Sequence, residues 1–276
     1  MKAYPLIYSR TKNVDFVPDF LTRPEDLDVY AAMPFVQRAM KDLDFSNTIR
    51  YTVFRAGDYC ICGGIACVSK VLLDELLKTK KKSMEEYTEA ETFLRDCKGR
   101  SISCFIGLAF KKADVPIGII PEVNLKTYWD IYLKHLKKQW NADATFSEKV
   151  TEPIDIQDKL YPNKNIQTVI RDGKRVIRRS DYNIQDILDC YFYKILHTDS
   201  SEWIISDVRN PHDFYVFDGL QNTGNTQYNN KSHVNSNSSQ RSRLDAIKDV
   251  EPHRDDNGQQ DFDIEVDEPK KNSILS

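Results

Sequence analysis

The segment RYTVFRAGDYCICGGIACV, residues 50–68, contains two runs rich in aromatic and β-branched residues, joined at Gly57 and Asp58. Such runs on either side of a glycine-containing turn predict the two strands of a β-hairpin. In the second strand, Cys60 and Cys62 are expected to share one face, because side chains alternate along a strand. Their neighbours on the other face are also apolar. We therefore expect a strand that is buried on both sides.

Two later segments have the apolar periodicity of amphipathic helices, 124–140 and 183–197. Asn183 stands at the start of the second segment and is the expected helix cap. His135 falls among lysines in the first segment, so we expect it at the surface. Each helix has one apolar side that predicts packing against a core.

Two more helices are expected in the first hundred residues. One should start at Thr22 or Arg23, because Pro24 and two acidic residues follow, as is typical of a helix start. Pro34 is expected to kink or split this helix. The other is predicted in SKVLLDELLK, residues 69–78.

Further strands are expected over much of the chain: 4–9, 99–112, 202–208 and 214–220. Hairpins outnumber strand–helix–strand units, which favours an α+β fold with a mostly antiparallel sheet and packed amphipathic helices. We predict one globular domain over residues 1–220, and a subdivision near residue 145 stays open.

The composition changes beyond residue 220. The next residues are polar and rich in Asn and Ser, so they bury too little apolar surface to offset the entropy of ordering, and we predict a disordered tail over 221–276. Its last part is acidic. The stretch DFDIEVDEP alternates three apolar residues with acidic ones, the pattern of a strand with one apolar face, and a lone strand needs a partner edge. The three are Phe262, Ile264 and Val266.

Charge and composition narrow the function classes. The chain has a net charge of −3, and residues 1–220 hold equal numbers of acidic and basic side chains, which does not favour nucleic acid as a partner. The sequence shows neither a secretory signal nor an apolar run of membrane-spanning length, which favours a cytoplasmic protein without a membrane partner. The six cysteines are expected to be free thiols there. No cofactor is predicted.

The segment NIQTVIRDGKRVIRRS, residues 165–180, contains an Asp-Gly pair between strand-like runs, the strongest short hairpin signal in the chain. We call residues 165–179 the basic hairpin. Its charge suits an acidic peptide or phosphates, although a charged edge also serves merely to prevent edge pairing. The basic residues are Arg171, Lys174, Arg175, Arg178 and Arg179.

The cysteine-rich strand admits chemical interpretations as well. Its cysteine spacing lacks the second close pair of a zinc site, so no metal site is predicted. Gly63 and Gly64 lack either phosphate-binding motif and are expected to form a bulge or bend. Buried structural thiols are favoured over a reactive one.

An enzymatic alternative remains. His212, in a loop beside Asp213, is the histidine best suited to activate a thiol, and Cys62 or Cys104 is the candidate nucleophile. A small ligand or nucleotide near Cys62 and His212 belongs to the same alternative.

The leading hypothesis is a protein-binding or regulatory adaptor rather than an enzyme. It recognises a peptide or protein partner through the basic hairpin and the acidic strand-like motif at 262–268. Binding of nucleic acid by the basic hairpin is a third hypothesis.

Overall fold

A computed structural model describes residues 1–41, 49–68, 92–122, 125–144 and 147–219, with the backbone alone for 125–129. The chain divides into two units, Met1–Tyr228 and Asn229–Ser276, and all described residues belong to the first. The predicted helix at 69–78 and the predicted tail at 221–276 lie outside the described residues.

Three α-helices and thirteen strands make up the described part of the chain. The helices are α1 (Val29–Met40), α2 (Leu125–Gln139) and α3 (Ile184–His197). The first strands are β1 (Lys2–Ser9), β2 (Thr22–Pro24), β3 (Arg50–Ala56), β4 (Tyr59–Cys67), β5 (Ser103–Lys111) and β6 (Ile119–Pro121). The remaining strands are β7 (Glu148–Val150), β8 (Ile154–Asp155), β9 (Asp158–Leu160), β10 (Val169–Arg171), β11 (Lys174–Arg178), β12 (Glu202–Ser206) and β13 (Asp213–Asp218).

Eleven of these strands form one mixed sheet in the order β10-β11-β13-β12-β3-β4-β5-β1-β2-β7, with β8 paired to β1. All pairings are antiparallel except that between β2 and β7. The strands β6 and β9 form a separate two-stranded ribbon. The predicted α+β fold with a mostly antiparallel sheet is confirmed.

The middle of the sheet is buried on both faces. Every residue of β4 is buried, as are seven of the nine in β5. Cys60 and Cys62 pack with α2 and α3 in one apolar core, whereas Ile61 and Ile65 pack with α1 in another. The sheet is thus the central layer of three, and we call its two sides the α3 face and the α1 face. The prediction that β4 is buried on both sides is confirmed.

The expected bulge at Gly63 and Gly64 is wrong, because β4 pairs with both neighbours without a break in register. Gly63 lies directly opposite Gly107 of β5. The ring of Phe105 lies across this glycine pair: a Cβ added at Gly63 would sit 2.4 Å from the ring, and one at Gly107 would sit 2.7 Å from it. The glycines therefore make room for a buried ring in the α1-face core.

The first helix begins later than expected. Thr22 and Arg23 belong to strand β2, and the cap of α1 is Asp28, whose carboxylate accepts hydrogen bonds from the backbone N–H groups of Tyr30 and Ala31. The expected split at Pro34 is wrong as well, since the helix runs through it to Met40. Five buried side chains hold α1 on the sheet despite the backbone hydrogen bond that proline removes.

The end of α1 is fixed by an arginine from the sheet. The guanidinium of Arg50, in β3, donates to the carbonyls of Ala39 at 2.5 Å and Lys41 at 2.8 Å. A cation is favourable there because the last carbonyls of a helix are unpaired and carry partial negative charge. This contact joins α1 to the centre of the sheet.

The other two helices match their predicted positions, with one correction. Asn183 caps α3 by accepting a hydrogen bond from the backbone N–H of Asp186 at 2.7 Å, as predicted. His135 of α2 is buried rather than at the surface: its Nδ1 lies 2.7 Å from a carboxylate oxygen of Glu148 in β7. Lys138 also bonds to Glu148, so two side chains of α2 anchor the short parallel pair at the sheet edge.

Among the described helices, none combines the length and the apolar character needed to cross a membrane.

We predict that Gly107→Ala lowers the free energy of unfolding by about 1–3 kcal/mol, since the added methyl overlaps the buried Phe105 ring. Chemical denaturation of Gly107→Ala, Phe105→Leu and the double variant measures the coupling. The decrease in unfolding free energy of the double variant should be smaller than the sum of the decreases in the two single variants. Strict additivity would show that the ring does not depend on the glycine.

Candidate functional site: an open sheet edge

The basic hairpin forms as predicted. Asp172 and Gly173 have φ angles of 51° and 70° and form the two-residue turn between β10 and β11. Two positive φ angles define the type I′ turn, whose twist matches that of the flanking strands. Arg171 pairs with Lys174 beside the turn, which fixes the register of the hairpin.

Of the strands that the structure describes, β10 is the last on this side of the sheet. In a two-residue hairpin, the residues flanking the turn bond to each other, so the next residue points its N–H and C=O away from the partner strand. That residue is Ile170, in the middle of β10. No described residue pairs with β10 on this side.

The side chains of β10 are exposed too. Ile170 is 80% exposed and Val169 is 45% exposed, an uncommon concentration of apolar surface at a strand with unpaired backbone groups. Sequence reasoning identified the basic residues of the hairpin but missed this pair. Two adjacent apolar residues in a three-residue strand were a usable signal, because a strand with one buried face hides at most one of them.

The basic side chains of the hairpin are not all available to a partner. Arg171 bonds to buried Asp213 at 2.6 Å, and Asn210 bonds to the same carboxylate oxygen. Lys174 lies 5.3 Å from the ring centroid of Tyr215, a cation–π contact. Thus Asp213, a candidate catalytic residue, serves here as the ion-pair partner of Arg171.

Arg175 and Arg179 are held by other parts of the fold. Arg175 donates to Glu202 of β12 at 2.5 Å, and Lys194 of α3 bonds to the other carboxylate oxygen. Burial works to raise the pKa of Glu202, but the hydrogen bond from Arg175 and the charge of Lys194 hold this pKa below its ordinary value. Arg179 donates to the carbonyl of Pro211 at 2.7 Å.

Arg178 differs from the other four. It is exposed in β11, and its side chain makes no hydrogen bond or ion pair with a described residue. Of the predicted binding residues it is the one whose charge the described fold leaves uncommitted. The other predicted binding residues, Phe262, Ile264 and Val266, lie outside the described residues.

The structure does not bring the candidate thiols together with His212. Cys62 shares a sheet row with Val53, Ile204 and Val216, so it lies three strands from β13, about 14 Å away. His212 precedes β13 and is four residues from Val216 along the strand direction, about 13 Å at right angles to the first separation, so Cys62 and His212 are about 19 Å apart. Cys104, in β5, is four strands from β13, about 19 Å.

Burial also makes the candidate thiols poor nucleophiles. Desolvation raises the pKa of the Cys104 thiol, and it raises that of Cys60 beside Cys62 in the same way. Cys62 is itself only 3% exposed. Cys97 is the exposed cysteine of the chain, whereas the other five are buried and all six are free.

A cleft of about 680 Å³ lies between the β3–β4 turn and the C-terminal end of α3. Its polar centre is Asp26, which accepts hydrogen bonds from the Tyr59 hydroxyl and from Lys111 at 2.6 Å. Burial and the neighbouring Asp26 raise the pKa of Tyr59, and the hydrogen bond to Asp26 raises that of Lys111. These groups satisfy one another, and neither the phenol nor the amine is activated for proton abstraction.

Within the described ranges, no group of three or more His, Cys, Asp or Glu side chains is arranged to hold a metal ion. No protein-family model matches the chain, and no curated protein matches it.

We predict that one thiol of the native protein reacts quickly with a maleimide and that it is Cys97, because the other five are buried. The Cys97→Ser variant should show no fast phase, and five thiols should react after denaturation. A second fast thiol at Cys62 or Cys104 in the native state would restore the enzymatic alternative.

We also predict that Glu202 stabilises the fold only above acidic pH. Because its pKa is lowered in the folded protein, its contribution is present above the ordinary value of about 4.3 and is lost as the pH falls through the folded value. The unfolding free energy of wild type should therefore exceed that of Glu202→Gln at pH 7, and the difference should shrink as the pH falls below about 4. Glu152→Gln, at an exposed position, is the matched control and should differ little from wild type at any pH.

Proposed function

We propose that this protein is a peptide- or protein-binding component that captures an extended segment of its partner by strand addition at β10. The observation that carries the proposal is Ile170: its side chain is 80% exposed, and its backbone groups point away from β11 at the end of the sheet. Main-chain hydrogen bonds supply affinity in such complexes, and alternate side chains supply specificity. A regulatory or adaptor role in the cytoplasm is part of this proposal.

The rigidity of the edge supports strand addition. The type I′ turn, the Arg171–Asp213 pair and the Arg175–Glu202 pair hold the hairpin in place before any partner arrives. A preorganised edge loses little conformational entropy on binding, so more of the interaction energy appears as affinity. The ion pairs are thus scaffold for the edge, and charge reversal at Arg175 would disturb the fold as well as the partner.

The acidic strand-like motif at 262–268 remains a second proposed recognition element. Its alternation of apolar and acidic residues suits pairing with a sheet edge, as the sequence predicts. Nucleic-acid binding by the basic hairpin is less favoured, because residues 1–220 hold equal numbers of acidic and basic side chains and provide no long-range attraction for a polyanion.

The test is selection of ten-residue peptides from a random display library on the full-length protein, followed by hydrogen exchange of the selected complexes. We expect bound peptides to slow exchange at the Ile170 amide, whose N–H is free of β11. Ile170→Pro should weaken binding at least about tenfold, because proline removes this donor and its ring obstructs the added strand.

Leu160→Lys is the matched control for Ile170→Lys, since Leu160 is 77% exposed on the separate β6–β9 ribbon. Only the change at 170 should reduce binding. Circular dichroism checks that each variant folds, and Ile170→Lys tests the edge if Ile170→Pro does not fold. Selected peptides that leave Ile170 exchange unchanged and bind Ile170→Pro normally would refute strand addition.

A further inference from the structure

The two sides of the open edge differ in chemistry. The strand register shows on which face of the sheet each side chain lies. Ile170 lies opposite Arg175 of β11, and Arg175 lies opposite Val216 of β13, which packs in the core of the α3 face. On the other face, Arg171 lies opposite Lys174, and Val169 lies opposite Val176. Phe217 and Tyr215 of β13 continue these two rows and pack on the α1 face. A strand added beside β10 would therefore meet Ile170 on one face and Val169 with Arg171 on the other.

The α1 face of the hairpin has an excess of positive charge. Arg171, Lys174 and Arg178 all project on this side, as their register positions require. Two carboxylates offset part of this charge: Asp213, which bonds to Arg171 and Asn210, and Asp207, which acts on Tyr215. Three cations against two carboxylates leave one positive charge in excess. Arg171 uses one nitrogen for this bond, and its side chain is still 47% exposed. The face therefore offers guanidinium donors to an acidic neighbour.

The α3 face of the hairpin is balanced in charge and apolar at its rim. Arg175 and Lys194 both bond to Glu202. A second carboxylate, Asp218, lies opposite Glu202 in the register and acts on the charge of Arg175. The most exposed group in this row is the Ile170 side chain. An apolar residue of an added strand would cover Ile170, whereas an acidic residue there would be placed beside apolar surface and an occupied arginine.

We infer that the strand captured at β10 alternates acidic and apolar residues. Its acidic side chains lie on the α1 face, beside Arg171 and directed toward Arg178 of the next strand β11, and its apolar side chains lie on the α3 face beside Ile170. This inference rests on the proposed strand addition and adds the chemistry of the partner. Because side chains alternate with a period of two, an acidic residue beside Arg171 places its two chain neighbours on the face of Ile170, where apolar side chains fit. A segment with the same residues in another order fails one face.

The sequence DFDIEVDE, residues 261–268, has this alternation and supplies the probe. Four fluorescent peptides are compared on the full-length protein by anisotropy, with hydrogen exchange at Ile170. They are this sequence, the same peptide with its acids replaced by Asn and Gln, the same with its acids replaced by Lys, and an isomer with its acids gathered at one end.

We expect the acidic alternating peptide to bind most tightly and to protect the Ile170 amide. Arg178→Gln should reduce its advantage over the neutral peptide by about two- to fivefold, the size of an exposed ion pair. The affinity of the neutral peptide should not change. Lys149→Gln, an exposed lysine on β7 at the opposite end of the sheet, is the matched control and should have no effect.

The outcomes separate the inference from the proposed function. If the acidic, neutral and basic alternating peptides bind equally and protect Ile170, strand addition stands and the acidic partner is refuted. Equal binding by the isomer with gathered acids would also refute the inference, because charge alone would then suffice. If no peptide protects Ile170, both the inference and strand addition fail.

Discussion

Burial of the central strands on both faces is the constraint on which the rest of the structure depends. Strands β3, β4 and β5 lie between the core of α1 and the core of α2 and α3, so each exposes almost no side chain to solvent. A buried strand must also have its backbone groups paired, since an unpaired buried amide costs about 1–3 kcal/mol. Further strands on both sides of β3–β5 satisfy this requirement, so the backbone groups without a partner strand lie at the two edges of the sheet.

Strand β10 forms one of these two edges. At the other end of the main run of strands, β7 is tied to α2 by the bonds of Glu148 to His135 and Lys138. At β10, the Arg171–Asp213 and Arg175–Glu202 salt bridges hold the hairpin on the sheet, whereas the backbone groups of Ile170 point away from β11 and its side chain is exposed. The proposed function and the proposed partner chemistry both follow from this position.

The same burial explains why the segment rich in cysteine and glycine does not form a reactive site. In YCICGGIACV, residues 59–68, the cysteines fill space in the sheet and desolvation raises the pKa of Cys60. The glycines accommodate the ring of Phe105, a residue 42 positions away from Gly63 in the chain. No local pattern announces that contact, because it depends on the register between β4 and β5.

Local signals determined much of the fold: alternating or apolar runs gave the strands, the helical spacing gave α2 and α3, and Asp172–Gly173 gave the hairpin turn. Which strand is buried near this edge depends instead on tertiary packing. The tripeptide Val-Ile-Arg occurs at 169–171 and again at 176–178, yet Ile170 is 80% exposed and Ile177 is fully buried. Strand β11 has a neighbour on each side and is covered by the core, whereas β10 has one neighbour among the described strands and lies beyond that cover. The sequence alone determines that both segments are strands, and only tertiary packing decides which one is left open to a partner.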